Sequence, residues 1–318
     1  MRAALCFALA VFGLGFVPSH AAQTQAALTV GQRREAVLFW SQARREARFR
    51  QMYRHFPSLR VAHGAHVQAL PQGQPLTLPG RDLSSWLAAY MHKYHVAGVM
   101  VLQNGRVRLV RYGLGFGPTE RWTSFSVAKS VTSVLLGIAL EQGYVHSLDD
   151  QLDTYIPELK HTAYADVTVR DLLTMTSGVR WDENYSDPHS DVAQMYMGAC
   201  VGHEAQALSY LAKLPRGWPP GTHWNYNTAE TDLLGVLVQR ATHRSLAAYL
   251  SQTIWKPYGM AESAYWVKDG CSGLNTGGSG FSATLADYAR FGEFMLNGGR
   301  IDRRTVIGPV LARGCRAA

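Results

Sequence analysis

Ser126 and Lys129 stand three residues apart in Trp122-Thr-Ser-Phe-Ser126-Val-Ala-Lys129-Ser130, where apolar residues begin to recur with a helical period. On a helix, positions i and i+3 share one face, with Cβ atoms about 5–6 Å apart. The lysine nitrogen can then reach the serine hydroxyl and, if its own charge is suppressed, remove the proton. A serine beside a local base is the minimum equipment for acyl transfer. The spacing alone is weak, because serine is common and about one such chain in three holds a chance pair. Of the six lysines, only Lys129 has a serine three positions before it.

Position adds weight. Val127, Val131, Val134, Leu135 and Ile138 fall at helical spacing, and Gly143 suits the residue just past a helix end. Ser126 would then sit in the first turn, where free backbone N–H groups and the positive dipole end favour a developing oxyanion.

Other motifs point to ordinary structure. Gly113-Leu-Gly-Phe-Gly117 and Gly277-Gly-Ser-Gly280 lack phosphate-loop spacing and read as turns. His63-Gly-Ala-His66 and Cys200-Val-Gly-His203 are half metal sites without a second half, so no metal and no cofactor is expected. With no Gly-x-Ser-x-Gly, a nucleophile-elbow hydrolase is disfavoured.

The elements that must position the serine are legible in outline. The 318 residues fit about two domains, and 47% hydrophobic with 17% charged residues is an ordinary globular composition. Residues 1–22 read as a signal peptide: Arg2, an apolar run Ala3–Val17, and Ser19-His20-Ala21 for cleavage. The run is too short to span a bilayer comfortably. Export to a bacterial periplasm is expected, with no membrane anchor afterwards. Three cysteines remain, Cys200, Cys271 and Cys315, so at most one bridge forms; Cys200–Cys271 and free buried thiols stay open alternatives.

Net charge is +8, concentrated at Arg33, Arg34, Arg44, Arg45, Arg48, Arg50 and Arg54. Glu35 and Glu46 interrupt that run, and Val37, Trp40, Ala43 and Ala47 form a stripe. An amphipathic helix over 32–56, packed through that stripe, is therefore expected rather than a nucleic-acid surface. Val96–Leu102, Asn104-Gly105 and Arg106–Tyr112 spell a β-hairpin. Helices follow at 169–175, 205–214, 228–242 and 284–296, giving an α+β layer with a helical insertion.

Ser126-Val-Ala-Lys129, followed about a hundred residues later by Tyr226-Asn-Thr228-Ala-Glu-Thr-Asp-Leu-Leu-Gly235, resembles the penicillin-recognising serine hydrolase superfamily. That group holds class C β-lactamases, D-alanyl-D-alanine carboxypeptidases and esterases, and the likeness is nearest to 6-aminohexanoate-dimer hydrolases. Met175-Thr-Ser-Gly178, Trp181-Asp-Glu183-Asn-Tyr185, Pro219–Trp224 and Ser282–Gly292 support it. The resemblance implies an α+β, β-lactamase/transpeptidase-like fold, an antiparallel sheet flanked by helices. The sheet domain takes 23–145 and 265–318, and a mostly helical domain takes 146–264.

The resemblance also implies catalytic Ser126, Lys129 and Tyr226, acting on a small-molecule amide or ester, with Glu183 and Tyr185 bordering the substrate and Tyr185 donating to the scissile amide. Lysine and tyrosine ordinarily titrate near 10.4 and 10. They can serve only as a coupled pair, and which one takes the serine proton stays open. Two departures stand out. Thr228 replaces the asparagine of the β-lactamase Y-x-N motif, and the family's third motif, K-T-G or H-x-G, is not found after the last helix; Lys268-Asp-Gly270 reads as a loop. The closing C-terminal strands are thus expected to be missing, with an inactive truncated member as one alternative and a β-lactamase, carboxypeptidase or esterase as another.

Overall fold

A computed structural model describes Val37 and residues 39–308. The expected signal segment, 1–22, lies outside those residues, as do Cys315 and the start of the 32–56 helix.

The first helical region is broken into pieces. Helix α1, Gln42–Arg48, is capped by the Ser41 hydroxyl and buries none of its residues. A 3₁₀ turn, Phe49–Gln51, leads into α2, Met52–His55. Val37 and Trp40 are buried as expected, but Ala43 and Ala47 are exposed. The turn at Phe49 resets the helical phase, so Met52 and Phe56 take over the packing, together with Val267.

Strand β1, Ser58–Val61, opens the main sheet. Helix α3, Leu83–Lys93, precedes the hairpin β2, Gly98–Gln103, and β3, Arg106–Tyr112. Asn104 and Gly105 have φ of 52° and 70°, the pair of left-handed residues that a two-residue hairpin turn of matching twist demands. The hairpin is a sheet of its own rather than part of the main one. Its β3 edge is bordered by residues 71–76, with Val107 N–H donating to Pro71 O and Leu76 N–H to Arg108 O.

The main sheet runs β1-β5-β6-β4, with β4 Trp122–Ser124, β5 Ala264–Val267 and β6 Phe281–Ala283, every pairing antiparallel. Phe281 is its anchor. Trp255, Trp266 and Tyr288 surround that ring with centroids 5.1–5.9 Å away, all near edge-on, the geometry aromatic quadrupoles favour.

Helix α4, Val127–Glu141, runs from the end of β4 through the core. Val131, Val134, Leu135 and Ile138 are buried as their spacing predicts, whereas Val127 is 39% exposed. Gly143, at φ +75°, ends it. The helical stretch after it supplies α5 Val169–Leu173, α6 Asp191–Met197, α7 Gln206–Leu211, α8 Thr228–Thr242, α9 Leu246–Leu250 and α10 Lys256–Tyr258. Helix α11, Leu285–Leu296, is capped by Thr284. Helix α8 lies against α4 and is buried almost throughout.

Cys200 and Cys271 form a disulfide, Cα atoms 5.4 Å apart and 71 residues apart in sequence. Beside it Asp269 accepts from Cys271 N–H, Ser272 N–H and Gln206 N–H, the last at the otherwise uncapped start of α7. Lys268-Asp-Gly270 is thus a structural loop. Opening the bridge in Cys271→Ser is expected to cost about 4 kcal/mol on the loop-entropy scale. Urea unfolding with and without reductant measures it.

Candidate active site

Strand β4 delivers Ser126 to its place. Gly280 N–H donates to Ser124 O at 3.0 Å and Ser124 Oγ to Phe281 O at 3.0 Å, fixing the strand one residue before the Phe125-Ser126 turn. Ser126 is the N-cap residue of α4 but already has helical dihedrals, φ −66° and ψ −13°, and its side chain caps nothing. The hydroxyl is left free for other partners. One turn along, Lys129 Nζ reaches it at 3.3 Å.

Tyr226 comes from the far side. Gly217 and Trp218 N–H groups donate to Gly178 O, Gly221 N–H to Thr176 O, and Asn225 N–H to Met175 O. These bonds lace the Met175–Gly178 turn to the Pro219–Trp224 stretch. Gly178 has φ +75°, and a Cβ there would lie 2.0 Å from Trp218 O, so only glycine fits. Asn227 then caps α8 by accepting from Glu230 N–H. The result places the Tyr226 hydroxyl 2.8 Å from Ser126 Oγ, with Lys129 Nζ 5.1 Å from the centre of the phenol ring.

Lys129 donates to three oxygens: Ser126 Oγ, Thr228 Oγ1 at 3.0 Å and Gly278 O at 3.2 Å. Two of these partners were not legible in the sequence. Thr228 showed only as a departure from Y-x-N, and Gly277-Gly278 as a turn. In the structure that loop is pressed on α8 and latched by Thr132 Oγ1 donating to Gly277 O at 2.7 Å and by Gly278 N–H donating to Asp232 Oδ1 at 2.7 Å. A glycine-rich turn carries no sequence mark of the helix it will touch.

Glu183 and Tyr185, expected at the substrate, also converge here. Glu183 accepts from Trp181 Nε1, Tyr185 OH, Thr228 Oγ1 and Thr228 N–H, the last at 2.9 Å. A carboxylate offers about four lone-pair sites, so its capacity is filled within the protein. Tyr185, 36% exposed, gives its single proton to Glu183, leaving only acceptor capacity toward a bound amide. Burial, and next the Glu183 carboxylate, push the Tyr185 phenol well above its ordinary range. Of the three tryptophans near this region, Trp181 is buried at 7%, while Trp218 and Trp224 are 36% and 63% exposed.

Beneath the site, Glu230 is 1% exposed and accepts from Tyr164 OH at 3.1 Å and from Ser177 Oγ. Burial pushes its carboxyl up from 4.5 to about 8, against the pull of the two hydroxyls. A raised folded-state pKa means that stability is fully present below about pH 4.5 and is lost as pH rises through about 8, at up to about 1.4 kcal/mol per pH unit. Glu230→Gln should abolish that decline, as melting temperatures measured between about pH 5 and 8.5 would show.

A β-lactamase family model matches residues 83–312, which contain every residue of this constellation. The chain belongs to the beta-lactamase family. Within that family it is 29% identical over 229 residues to a 6-aminohexanoate-dimer hydrolase of Paenarthrobacter ureafaciens, covering 69% of this chain and 58% of that protein. The chain therefore spans little more than half the length of that relative. A Bacillus anthracis protein assigned provisionally as a 6-aminohexanoate-dimer hydrolase superposes with TM-score 0.72 at 24% identity, over 85% of this chain and 73% of its own. The D-alanine carboxypeptidase AmpC of Burkholderia cenocepacia superposes with TM-score 0.51 at 23% identity, over 73% and 66%. These beta-lactamase-family likenesses agree with the α+β architecture of antiparallel sheet and helices expected above.

Proposed function

We propose that this chain is an exported serine hydrolase that forms an acyl-enzyme at Ser126 on amides or esters of small linear substrates. One observation carries the reading: Ser126 Oγ lies 2.8 Å from the Tyr226 hydroxyl and 3.3 Å from Lys129 Nζ, groups from three separated stretches of chain. In the first step Ser126 Oγ bonds to the carbonyl carbon while its proton passes to the Lys129/Tyr226 pair. The pair then returns the proton to the leaving nitrogen or oxygen as the carbonyl–leaving-group bond breaks, and water repeats the sequence to release the acid. The positive dipole end of α4, where Ser126 sits, favours the developing oxyanion.

The 6-aminohexanoate-dimer hydrolase relative supports a linear amide substrate, and exposed Trp218 and Trp224 offer an apolar wall for a methylene chain. Thr228 supports the same choice over β-lactams, because its hydroxyl is committed to Glu183 and Lys129 and it has no side-chain amide to present. The Cys200–Cys271 bridge fits the oxidising compartment that export implies. Turnover of the linear 6-aminohexanoate dimer, a p-nitrophenyl ester and a chromogenic cephalosporin by the full chain tests the reading. Hydrolysis of the dimer or ester, lost in Ser126→Ala, is expected. Cleavage of the cephalosporin alone would overturn the substrate class.

A further inference from the structure

Helix α3 docks on the protein through Leu87 and Met91, the residues it buries. Beside that face Trp86, Tyr90 and Tyr94 recur every four residues, the spacing that lines side chains up along a helix. Trp86 and Tyr94 are 43% and 46% exposed, with Tyr90 half-buried between them. The three rings pack on one another as a column. Trp86 and Tyr90 have centroids 5.5 Å apart with planes at 23°, and Tyr90 and Tyr94 have centroids 4.7 Å apart. A cation stands over each end ring, the Arg81 guanidinium 5.9 Å from Trp86 and Lys93 Nζ 5.2 Å from Tyr94.

The arginine-rich stretch of the sequence meets this column. His95, just past α3, lies with its Nδ1 2.6 Å from Glu46 Oε1, which sets α1 beside the Tyr94 end. Helix α1 buries none of its residues, and its Arg44 and Arg48 are exposed. The acids that belong to these two helices are engaged within the protein. Glu46 is held by His95 and Gln42, and Asp82 accepts from Ser84 N–H and Ser85 N–H at the start of α3. The face thus presents aromatic rings among cations, with its carboxylates already spoken for.

We propose that this face is a peripheral docking surface for an anionic phospholipid bilayer. Tryptophan and tyrosine, apolar in body and polar at the tip, concentrate at the membrane–water boundary, and cations beside them are drawn to anionic headgroups. The packing of the rings decides against the other partners that an aromatic and basic face suggests. A nucleic-acid base binds by lying on an open aromatic face, and a sugar ring likewise. Here the faces are taken up by neighbouring rings and by the two end cations, so the column offers edges and polar tips outward. Those suit a headgroup layer. With 11 residues, α3 is about 16 Å long, half of what the hydrocarbon core of a bilayer requires. The protein therefore adsorbs reversibly and does not insert.

The test is co-sedimentation of the full chain with vesicles of phosphatidylcholine alone and of phosphatidylcholine with about one-third phosphatidylglycerol. Binding to the mixed vesicles, and little to the neutral ones, is expected. Arg81→Gln and Lys93→Gln should each weaken it about fivefold, and Trp86→Ala about tenfold. Salt at about 1 M, where charges are screened beyond about 3 Å, should release most of the protein. Trp224→Ala removes a tryptophan that is 63% exposed outside α3 and should bind as the parent does. Brominated lipid should quench the parent's fluorescence and quench Trp86→Phe far less, although that variant keeps a ring in the column. Arg81, Trp86 and Lys93 are exposed, so urea midpoints should match the parent's. Binding needs no turnover, and Ser126→Ala should sediment with the vesicles unchanged. Equal binding to neutral and anionic vesicles, or undiminished binding in both Trp86→Ala and the Arg81→Gln/Lys93→Gln double variant, would overturn the proposal. So would a protein that ignores both vesicles, whether or not an insoluble glycan or an oligonucleotide retains it.

Discussion

Tyr226→Phe is expected to slow acylation of Ser126 by a factor of about 10²–10⁴, the usual worth of a positioned acid–base group, and to leave the melting temperature unchanged. The substitution deletes one oxygen. The ring stays over Lys129, so the cation–ring contact at 5.1 Å survives. Tyr226 is only half-buried, and its segment is held by the Asn225 amide donating to Trp181 O and by the Asn227 cap of α8. The loss should appear in the rate of covalent modification as well as in turnover, because the proton must leave Ser126 before either can proceed. Stopped-flow release of p-nitrophenol from an ester in excess over enzyme separates the two steps.

The second large effect is on folding. Gly277→Ala should destabilise the protein by about 3 kcal/mol or more, the upper range for overpacking a core position. The added Cβ would stand 2.1 Å from Thr231 O and 3.0 Å from Thr231 C, both backbone atoms of the buried helix α8. No rotamer change can relieve a backbone clash, so the loop must lift. Lifting it breaks the Thr132–Gly277, Lys129–Gly278 and Asp232–Gly278 hydrogen bonds together. Activity should therefore fall with stability. Gly292→Ala, at an exposed position of α11, is the matched control. Its Cβ meets nothing within 4 Å, and helix propensity alone should raise stability by up to about 1 kcal/mol. Urea midpoints of the two variants measure the contrast.

Helix α4, helix α8 and the hairpin were legible because each is specified by local pattern. Apolar spacing with Gly143 marked α4, the stop at His243, φ +53°, closed α8, and Asn104-Gly105 fixed the turn. The meeting of Ser126 and Lys129 was legible for the same reason, since one helix carries both. Tyr226 was reachable only through resemblance, because a hundred residues of intervening chain set its distance from Ser126. What stayed hidden was the third-party contacts. Gly277-Gly278 looks like any turn until Thr231 O is seen beside it, and Asp232 looks like a polar residue on a helix until Gly278 N–H meets it. Glu183 was expected, through the resemblance, to border the substrate, and no sequence signal marked its partners within the protein. Its four donors are all internal, a fact decided by how residues 181–185 fold against the start of α8. The break in the 32–56 helix at Phe49 was invisible because no glycine or proline marks it.

The most direct test is covalent. The full chain is treated with a fluorophosphonate, its intact mass followed with time, and the modified peptide sequenced by fragmentation. A single adduct on Ser126, absent from Ser126→Ala and formed far more slowly by Tyr226→Phe, is the predicted result. No adduct on the folded protein, or one on another serine that Ser126→Ala still acquires, would contradict the account.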